Sequence, residues 1–193
     1  MQPITEAKFL TDDERARLGV TLARYPTARD TLLIQLILFT GSRSCEVVGG
    51  VSPDGTEVGV RFRDFTWKES AVTIRGAKGS NNRTVPLPAE FCRRLMGFIE
   101  LERRRNPDEL VFSISTRQLR HIWDQYRPCQ KGIHCLRHTA GVLLYLNCRD
   151  INIVRAFLGH RNINNTMVYL DFVEGVRRLR QAAKGMWNQQ IFD

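Results

Sequence analysis

The chain has 193 residues, enough for one domain with a sizeable core, and its 42% apolar and 25% charged residues are ordinary for a soluble globular protein. The 29 lysines and arginines outnumber the 20 acidic residues, a net charge of +9 with a pI near 9.8. Such an excess points to a polyanionic partner, nucleic acid ahead of an anionic membrane, although a merely solubilising surface would also carry it.

Five cysteines (Cys45, Cys92, Cys129, Cys135, Cys148) are odd in number and form no C-x-x-C pair. They read as reduced packing thiols, which argues against a disulfide scaffold and for a cytoplasmic protein. No basic-then-apolar leader opens the chain. The longest apolar run, Thr31 to Phe39, is broken by Gln35 and is too short to span a bilayer, so no membrane association is expected.

Residues 1–8 read as a lead-in. Thr11-Asp12-Asp13-Glu14 is a capping box that starts a helix running to about Arg24. After the Pro26-Thr27 break, a second helix is predicted from Ala28 to Thr40, with Leu32, Leu33, Leu36, Ile37 and Thr40 on one face. Gly41 ends it. Arg43 follows directly, and Glu46 lies one helical turn on. That pair is either a surface ion pair or a phosphate ligand with its own carboxylate. Gly49 to Gly55 is a loop.

Strand-like material is predicted over Val58 to Phe65 and Ala71 to Arg75, and a hairpin turn over Gly76 to Asn82 returns through Arg83 to Leu87. Lys78 at its tip could swing onto a ligand or simply be solvated. A helix over Ala89 to Arg104 would bury Phe91, Leu95, Phe98, Ile99 and Leu101. Leu110 to Phe112 is a short buried run. A helix over Thr116 to Tyr126 places Arg117, Arg120 and His121 on one face, suited to a DNA backbone or to water.

The segment from His134 to Tyr169 carries the chemistry. A helix over His134 to Asn147 puts His134, Arg137 and His138 on one side, with Val142, Leu143 and Leu146 towards the core. Asp150 caps a helix over Ile151 to Leu158, Gly159 stops it, His160 follows, and Tyr169 lies nine residues later on a short helix. Phe172, Val176, Leu179, Ala183, Met186 and Trp187 then form an apolar stripe, over this domain or a neighbouring copy.

An arginine fork grips an anion, imidazoles donate hydrogen bonds and move protons near neutrality, and a phenol can become covalently attached: together they can attack a phosphodiester without a metal. Each also has a structural reading, as core histidines and a packing aromatic. The metal rival is zinc, with His134, His138, Cys135 and His160 as ligands. However, Cys135 stands where the H-E-x-x-H pattern has its glutamate.

Five boxes occur in one order: Thr40-Gly41-Ser42-Arg43-Ser44-Cys45-Glu46-Val47, Gly76-Ala77-Lys78 through Arg83-Thr84-Val85-Pro86-Leu87, His134-x-x-Arg137-His138, Leu158-Gly159-His160, and Tyr169. In this combination the chain, from about Phe9 to Phe172, resembles the catalytic domain of the tyrosine recombinase (phage integrase) family. The resemblance implies an α+β, mostly helical fold with a small antiparallel sheet. It divides the chain into a lead-in (1–8), the catalytic domain (9–172) and a C-terminal helical tail (173–193).

It implies a site-specific DNA recombinase that cleaves and rejoins strands through a 3′-phosphotyrosine intermediate. The contrasting reading is a catalytically silent DNA-binding accessory or regulator. Arg43 and Arg137 would hold the scissile phosphate, Tyr169 would attack it, and Lys78 would protonate the leaving 5′ oxygen. His134 would help take the tyrosine proton, His160 would hydrogen-bond the phosphate, and Glu46 and His138 would orient the arginine and His134. Arg83, Arg117, Arg120 and His121 are the expected DNA contacts. No metal, nucleotide or other cofactor is called for. The expected partners are double-stranded DNA and further copies of the chain, a homotetramer on DNA and a monomer off it, with the tail linking subunits.

Ser42 and Cys45 depart from the family pattern, and Gly49 to Gly59 looks like an insertion. The separate N-terminal DNA clamp of the family has no counterpart in these residues, so DNA affinity is expected to be weak and steeply salt-dependent.

Overall fold

A computed structural model of the chain describes residues 5–51, 55–77, 79–102 and 106–187, with side chains described as far as residue 175. The predicted capping box opens α1 (Asp12–Ala23): Glu14 N–H donates to Thr11 Oγ1 at 3.4 Å, and Thr11 N–H donates to Glu14 Oε2 at 2.9 Å. Helix α2 (Arg29–Thr40) buries Leu32, Leu33, Ile34, Leu36 and Ile37. Ile34 lies off the predicted face, so α2 is apolar nearly all round and runs through the core. Burial of each aliphatic side chain contributes roughly 1.5–3 kcal/mol before the entropy cost of ordering it.

Gly41 closes α2 at φ 58°, in the left-handed region, and lets the chain turn directly into α3 (Ser44–Val48). A two-stranded ribbon follows, β1 (Gly50–Val51) against β2 (Glu57–Val58). An antiparallel sheet comes next: β3 (Phe65–Thr66), β4 (Ala71–Ile74) and β5 (Arg83–Pro86), in that spatial order, with Val72 opposite both Phe65 and Val85. The rest is helical: α4 (Ala89–Leu101), α5 (Thr116–Tyr126), α6 (His134–Cys148), α7 (Ile151–Leu158) and α8 (Asn164–Trp187).

Two apolar clusters meet along α6. The larger joins α1 to α5, the sheet and the start of α6. The smaller is built from Val142, Tyr145, Val154, Leu158, Val168 and Tyr169; Phe9 and Phe172 pack against it and meet each other edge to face, their ring centres 5.0 Å apart. The lead-in is tied down: Glu6–Lys8 form a 3-10 turn against α6, and Leu10 N–H donates to Thr139 Oγ1 at 2.8 Å.

The mostly helical fold with a small antiparallel sheet is as expected, but several local expectations fail. The stretch from Val58 to Phe65 is strand only at its ends. Asp64 accepts from Arg61 N–H at 2.7 Å and from both Arg75 Nη atoms at 2.7 Å, which turns Phe62–Asp64 into a 3-10 turn rather than a ladder. Helix α4 ends at Leu101, which is 82% exposed and no part of the core. On α6, Leu146 is exposed and Leu143 half-buried, while Tyr145 takes the inward position. Tyr169 sits not on a short helix but in the second turn of α8, which runs unbroken to Trp187. The side chains of Val176, Leu179, Ala183, Met186 and Trp187 lie outside the described residues. No helix among the described residues is long and apolar enough to cross a membrane.

Candidate active site

Three arginines from separate elements converge on one carboxylate. Glu46, in α3, is fully buried. Its Oε2 accepts from Arg83 Nη2 of β5 at 2.9 Å and from the Arg43 backbone N–H at 2.9 Å. Its Oε1 accepts from Arg43 Nη1 at 3.2 Å and from Ala77 N–H at 3.1 Å. Arg137 Nη1, from α6, lies 3.8 Å from Oε2. Arg137 is fixed further by two backbone carbonyls, donating to Gly41 O at 2.6 Å and Leu158 O at 2.8 Å. The residues that end α2 and α7 therefore aim the guanidinium of α6.

The base of the hairpin is pinned to the same place. Asn81 N–H donates to Gly159 O at 2.8 Å, Ser80 and His160 form a β-bridge, and Arg43 Nη1 donates to Ser80 Oγ. Gly159 has φ 70°, and a Cβ there would stand 2.8 Å from Asn81 O, so a side chain would push hairpin and helix apart. His160 is buried, with Nδ1 2.9 Å from Thr166 Oγ1.

Tyr169 is covered, with 1% of its surface exposed. Its ring fills the space that Gly141 leaves on α6: a Cβ there would lie 2.6 Å from Tyr169 Cε1. Its hydroxyl is 3.1 Å from His138 Nδ1. The ring of His134 meets that of His138 edge to face at 4.8 Å. The imidazole touching the phenol is therefore His138, the neighbour of the one assigned that role from sequence.

The cluster is strongly cationic. Burial by itself would raise the Glu46 pKa, but Arg83 and then Arg137 overcome it and hold the group below the usual carboxylate value. Burial, then Arg43, lowers Arg137 to about 10. Burial, then the neighbouring arginines, lowers His160 to about 3. Burial, then His134 and Arg137, lowers His138 to about 4. His134 is likewise lowered to about 4 by burial, Arg137 and Arg43; since its ring is exposed to the groove, solvent offsets part of the burial and the guanidiniums are the firmer cause. Tyr169 is pushed up to about 12 by burial, against the pull of Arg137 and Arg43.

The structure thus brings together Arg43, Glu46, His134, Arg137, His138, His160 and Tyr169. Lys78 lies outside the described residues. Arg43 and His134 open onto a groove of about 670 Å³ whose far wall carries Arg120 of α5. Arg117, Arg120 and His121 are exposed, as a DNA face requires. Arg83 is not: its side chain is 5% exposed and paired with Glu46, so it lies under the site rather than on the surface. The period of β5 signals this, because Arg83 shares a face with the buried Val85. Ser80, Gly141 and Thr166 went unrecognised in the sequence; each matters through a contact with a distant element or turn that no local pattern marks. Among the described residues no group of three histidine, cysteine or acidic side chains could hold a metal ion, and burial pushes the Cys135 thiol up to about 12.

Two outcomes are expected. Gly141→Ala gains roughly 1 kcal/mol of helix propensity but meets the Tyr169 ring, an overpacking cost of about 1–3 kcal/mol, so the ring is displaced. Nitration by tetranitromethane, mapped by mass spectrometry, should then rise at Tyr169; equal protection in both proteins would refute the packing account. The three depressed imidazoles also set a pH dependence. Unfolded, they take up protons below about 6.5; folded, only below about 4 or 3. In that window the unfolded chain holds more protons, so stability drops as pH falls. The urea midpoint should be lower at about pH 5 than at about pH 7, and an unchanged midpoint would contradict the assignment.

The model of the phage integrase family matches residues 8–174. Tyrosine recombinase XerH of Helicobacter pylori is 30% identical over 197 residues, covering 94% of this chain and 50% of XerH. Tyrosine recombinase XerA of Pyrococcus furiosus is 25% identical over 180 residues, covering 86% of this chain and 58% of XerA. The chain therefore spans little more than half the length of these relatives. Among solved structures, XerH bound to palindromic difH substrate in a post-cleavage complex superposes with a TM-score of 0.68 at 26% identity, over 96% of this chain and 54% of that one. The catalytic domain of bacteriophage HP1 integrase, at 22% identity and a TM-score of 0.57, shares the fold over 95% of both chains. With its boxes gathered around one buried carboxylate and the family model matched from residue 8 to 174, the chain belongs to the phage integrase family.

Proposed function

We propose that this domain cleaves and rejoins DNA strands as a site-specific tyrosine recombinase, through a 3′-phosphotyrosine intermediate. The observation that carries this reading is the meeting of Arg43 and Arg137 at Glu46, with the His138–Tyr169 pair at the position next to Arg137 on α6. Two forks held on one carboxylate suit the non-bridging oxygens of a phosphodiester and the charge that builds on them.

In this reading Tyr169 leaves its slot and its hydroxyl oxygen attacks phosphorus. The phenolic proton passes to an imidazole. His138 is the ring in contact with the phenol here, and His134, stacked edge to face on it, is the next acceptor. The bond from phosphorus to the 5′ oxygen breaks, and Lys78 supplies the proton that makes a 5′-hydroxyl. In the tautomer of His160 whose Nδ1 accepts the Thr166 hydroxyl hydrogen, Nε2–H is left to donate to a phosphate oxygen. The phosphotyrosine ester conserves the energy of the broken bond, so a second 5′-hydroxyl reseals the strand by the reverse steps.

DNA lies along the groove and the exposed face of α5, with Arg117, Arg120 and His121 on its backbone. Four copies assemble on two duplexes, joined through the part of α8 beyond the core.

A pool of nicked duplexes of randomised sequence, at low salt with chelator present, tests the chemistry. Wild type should trap a covalent protein–DNA adduct and Tyr169→Phe none; an adduct from the phenylalanine variant would overturn the choice of nucleophile. For the assembly, the chain should be cut after Gly175, because Phe172 and Val173 pack on the smaller core and Glu174 pairs with Arg149 at 2.8 Å. The shortened protein should still form the adduct but run as a monomer on DNA; undiminished tetramers would remove α8 from the interface.

A further inference from the structure

Arg83 is the arginine of the cluster that strand cleavage, as described, does not use. Its Nη2 donates to Glu46 Oε2 at 2.9 Å and to Ser42 Oγ at 3.2 Å. Its Nε and Nη1 are buried without a hydrogen-bond partner. Nη1 and Cδ lie against Gly159, where a Cβ would meet them at 3.1 and 3.2 Å. The side chain is thus walled in by α3, by the turn before it and by the end of α7, and cannot touch DNA from this position.

The charges explain such a placement. Arg43, Arg83 and Arg137 face a single negative charge on Glu46, so the cluster carries a surplus of two positive charges. A phosphodiester brings one negative charge, and the five-coordinate phosphorus of the transition state carries two. Glu46 competes with the phosphate for any guanidinium it shares. Arg43 is 24% exposed and opens on the groove, whereas Arg83 at 5% and Arg137 at 2% do not; of these two, Arg83 hydrogen-bonds Glu46 at 2.9 Å while Arg137 stands 3.8 Å from it.

We infer that Arg83 is a positioning residue for strand cleavage: as the permanent buried partner of Glu46, it leaves Arg43 and Arg137 their charge for the phosphate. Through β5 it also ties the hairpin that bears Lys78 to the arginine pair. Without it, Glu46 would draw on Arg43 and Arg137 instead, and the surplus would fall to one. The groups facing Glu46 are Arg43 and its N–H, Arg83, Arg137 and the Ala77 N–H; His134 and His160 also feel its charge. Loss of Arg83 would let Glu46 take up a proton at higher pH and lose its hold on Arg43.

The inference rests on Tyr169 being the nucleophile, and its test separates the two. Single-turnover adduct formation is measured at saturating nicked duplex across pH for wild type, Arg83→Met and Arg83→Lys, together with DNA affinity against salt. Arg83→Met should be slower by about a hundredfold at saturation, the scale of losing one charge-stabilising group, with the acid limb of its pH profile moved up and its DNA affinity unchanged. Arg83→Lys, which restores the charge without the fork, should recover about tenfold of that loss. A wild-type rate in Arg83→Met would overturn the inference. So would a normal rate with the salt slope reduced by about 0.9, the mark of a lost phosphate contact. Equal loss in both variants with the acid limb unmoved would reduce Arg83 to a prop of the fold. Should melting show Arg83→Met unfolded, Arg83→Lys decides: slower cleavage at unchanged affinity supports the inference, and weaker binding at an unchanged rate defeats it. A wild type that forms no adduct defeats the reaction itself, and the role of Arg83 with it.

Discussion

The carboxylate of Glu46 has no access to water and three guanidiniums within 4 Å. An isolated ion in that position would cost several kcal/mol, so the pairing is obligatory. The cost of removing any one partner is correspondingly high, because the others are left with unbalanced charge in a region of low dielectric. Such an arrangement is a poor way to gain stability and a good way to hold cations ready. The surplus positive charge is set in place by the fold itself, and for the proposed reaction that is the condition under which fixed charges lower a barrier most.

Backbone groups complete that positioning. Arg137 donates to the carbonyls that follow α2 and end α7, and the hairpin is sewn to the α7 corner by Asn81, Ser80 and His160. Four segments distant in sequence therefore share one small volume, and each is anchored in a large apolar cluster. A shift of any one would be felt at Arg43 or Arg137, since cores transmit strain rather than absorb it.

Tyr169 is stored rather than presented. Its phenol is buried against Gly141, tied to His138, and raised to about 12. Ionising such a group freely at neutral pH would cost ~7 kcal/mol, so in the proposed reaction its proton would pass to a neighbouring base as the oxygen moved onto phosphorus. The depressed imidazoles beside it are neutral at that pH and can accept a proton. Burial first, and the neighbouring cations second, keep them neutral, and the arginines of that field also favour a phenolate at Tyr169. Burial thus keeps the phenol protonated while the arginines pull the other way, so the two influences on Tyr169 oppose each other.

The boxes that carry the family pattern, the capping box at Thr11, the left-handed glycines after α2 and α7, and the presence of helices α2, α4, α5 and α6, though not every residue of their buried faces, were legible in the residues. They depend on contacts within a few positions, where spacing and backbone preference decide the outcome. The stretch from Val58 to Phe65 was misread because the bidentate bond from Arg75 to Asp64 reaches across eleven positions and outweighs local strand propensity. Arg83 was misread for a related reason: its sign suggested DNA, while the alternation of β5 already pointed it inward.

By itself, the sequence determined which groups were available and the elements that bear them. Only the tertiary structure decided that Glu46 is shared by three arginines, that His138 rather than His134 meets the phenol, and that Tyr169 is covered. Each of these is a contact between elements whose relative placement comes from packing a common core, and packing depends on shape and volume summed over the whole chain, which no short stretch of residues encodes.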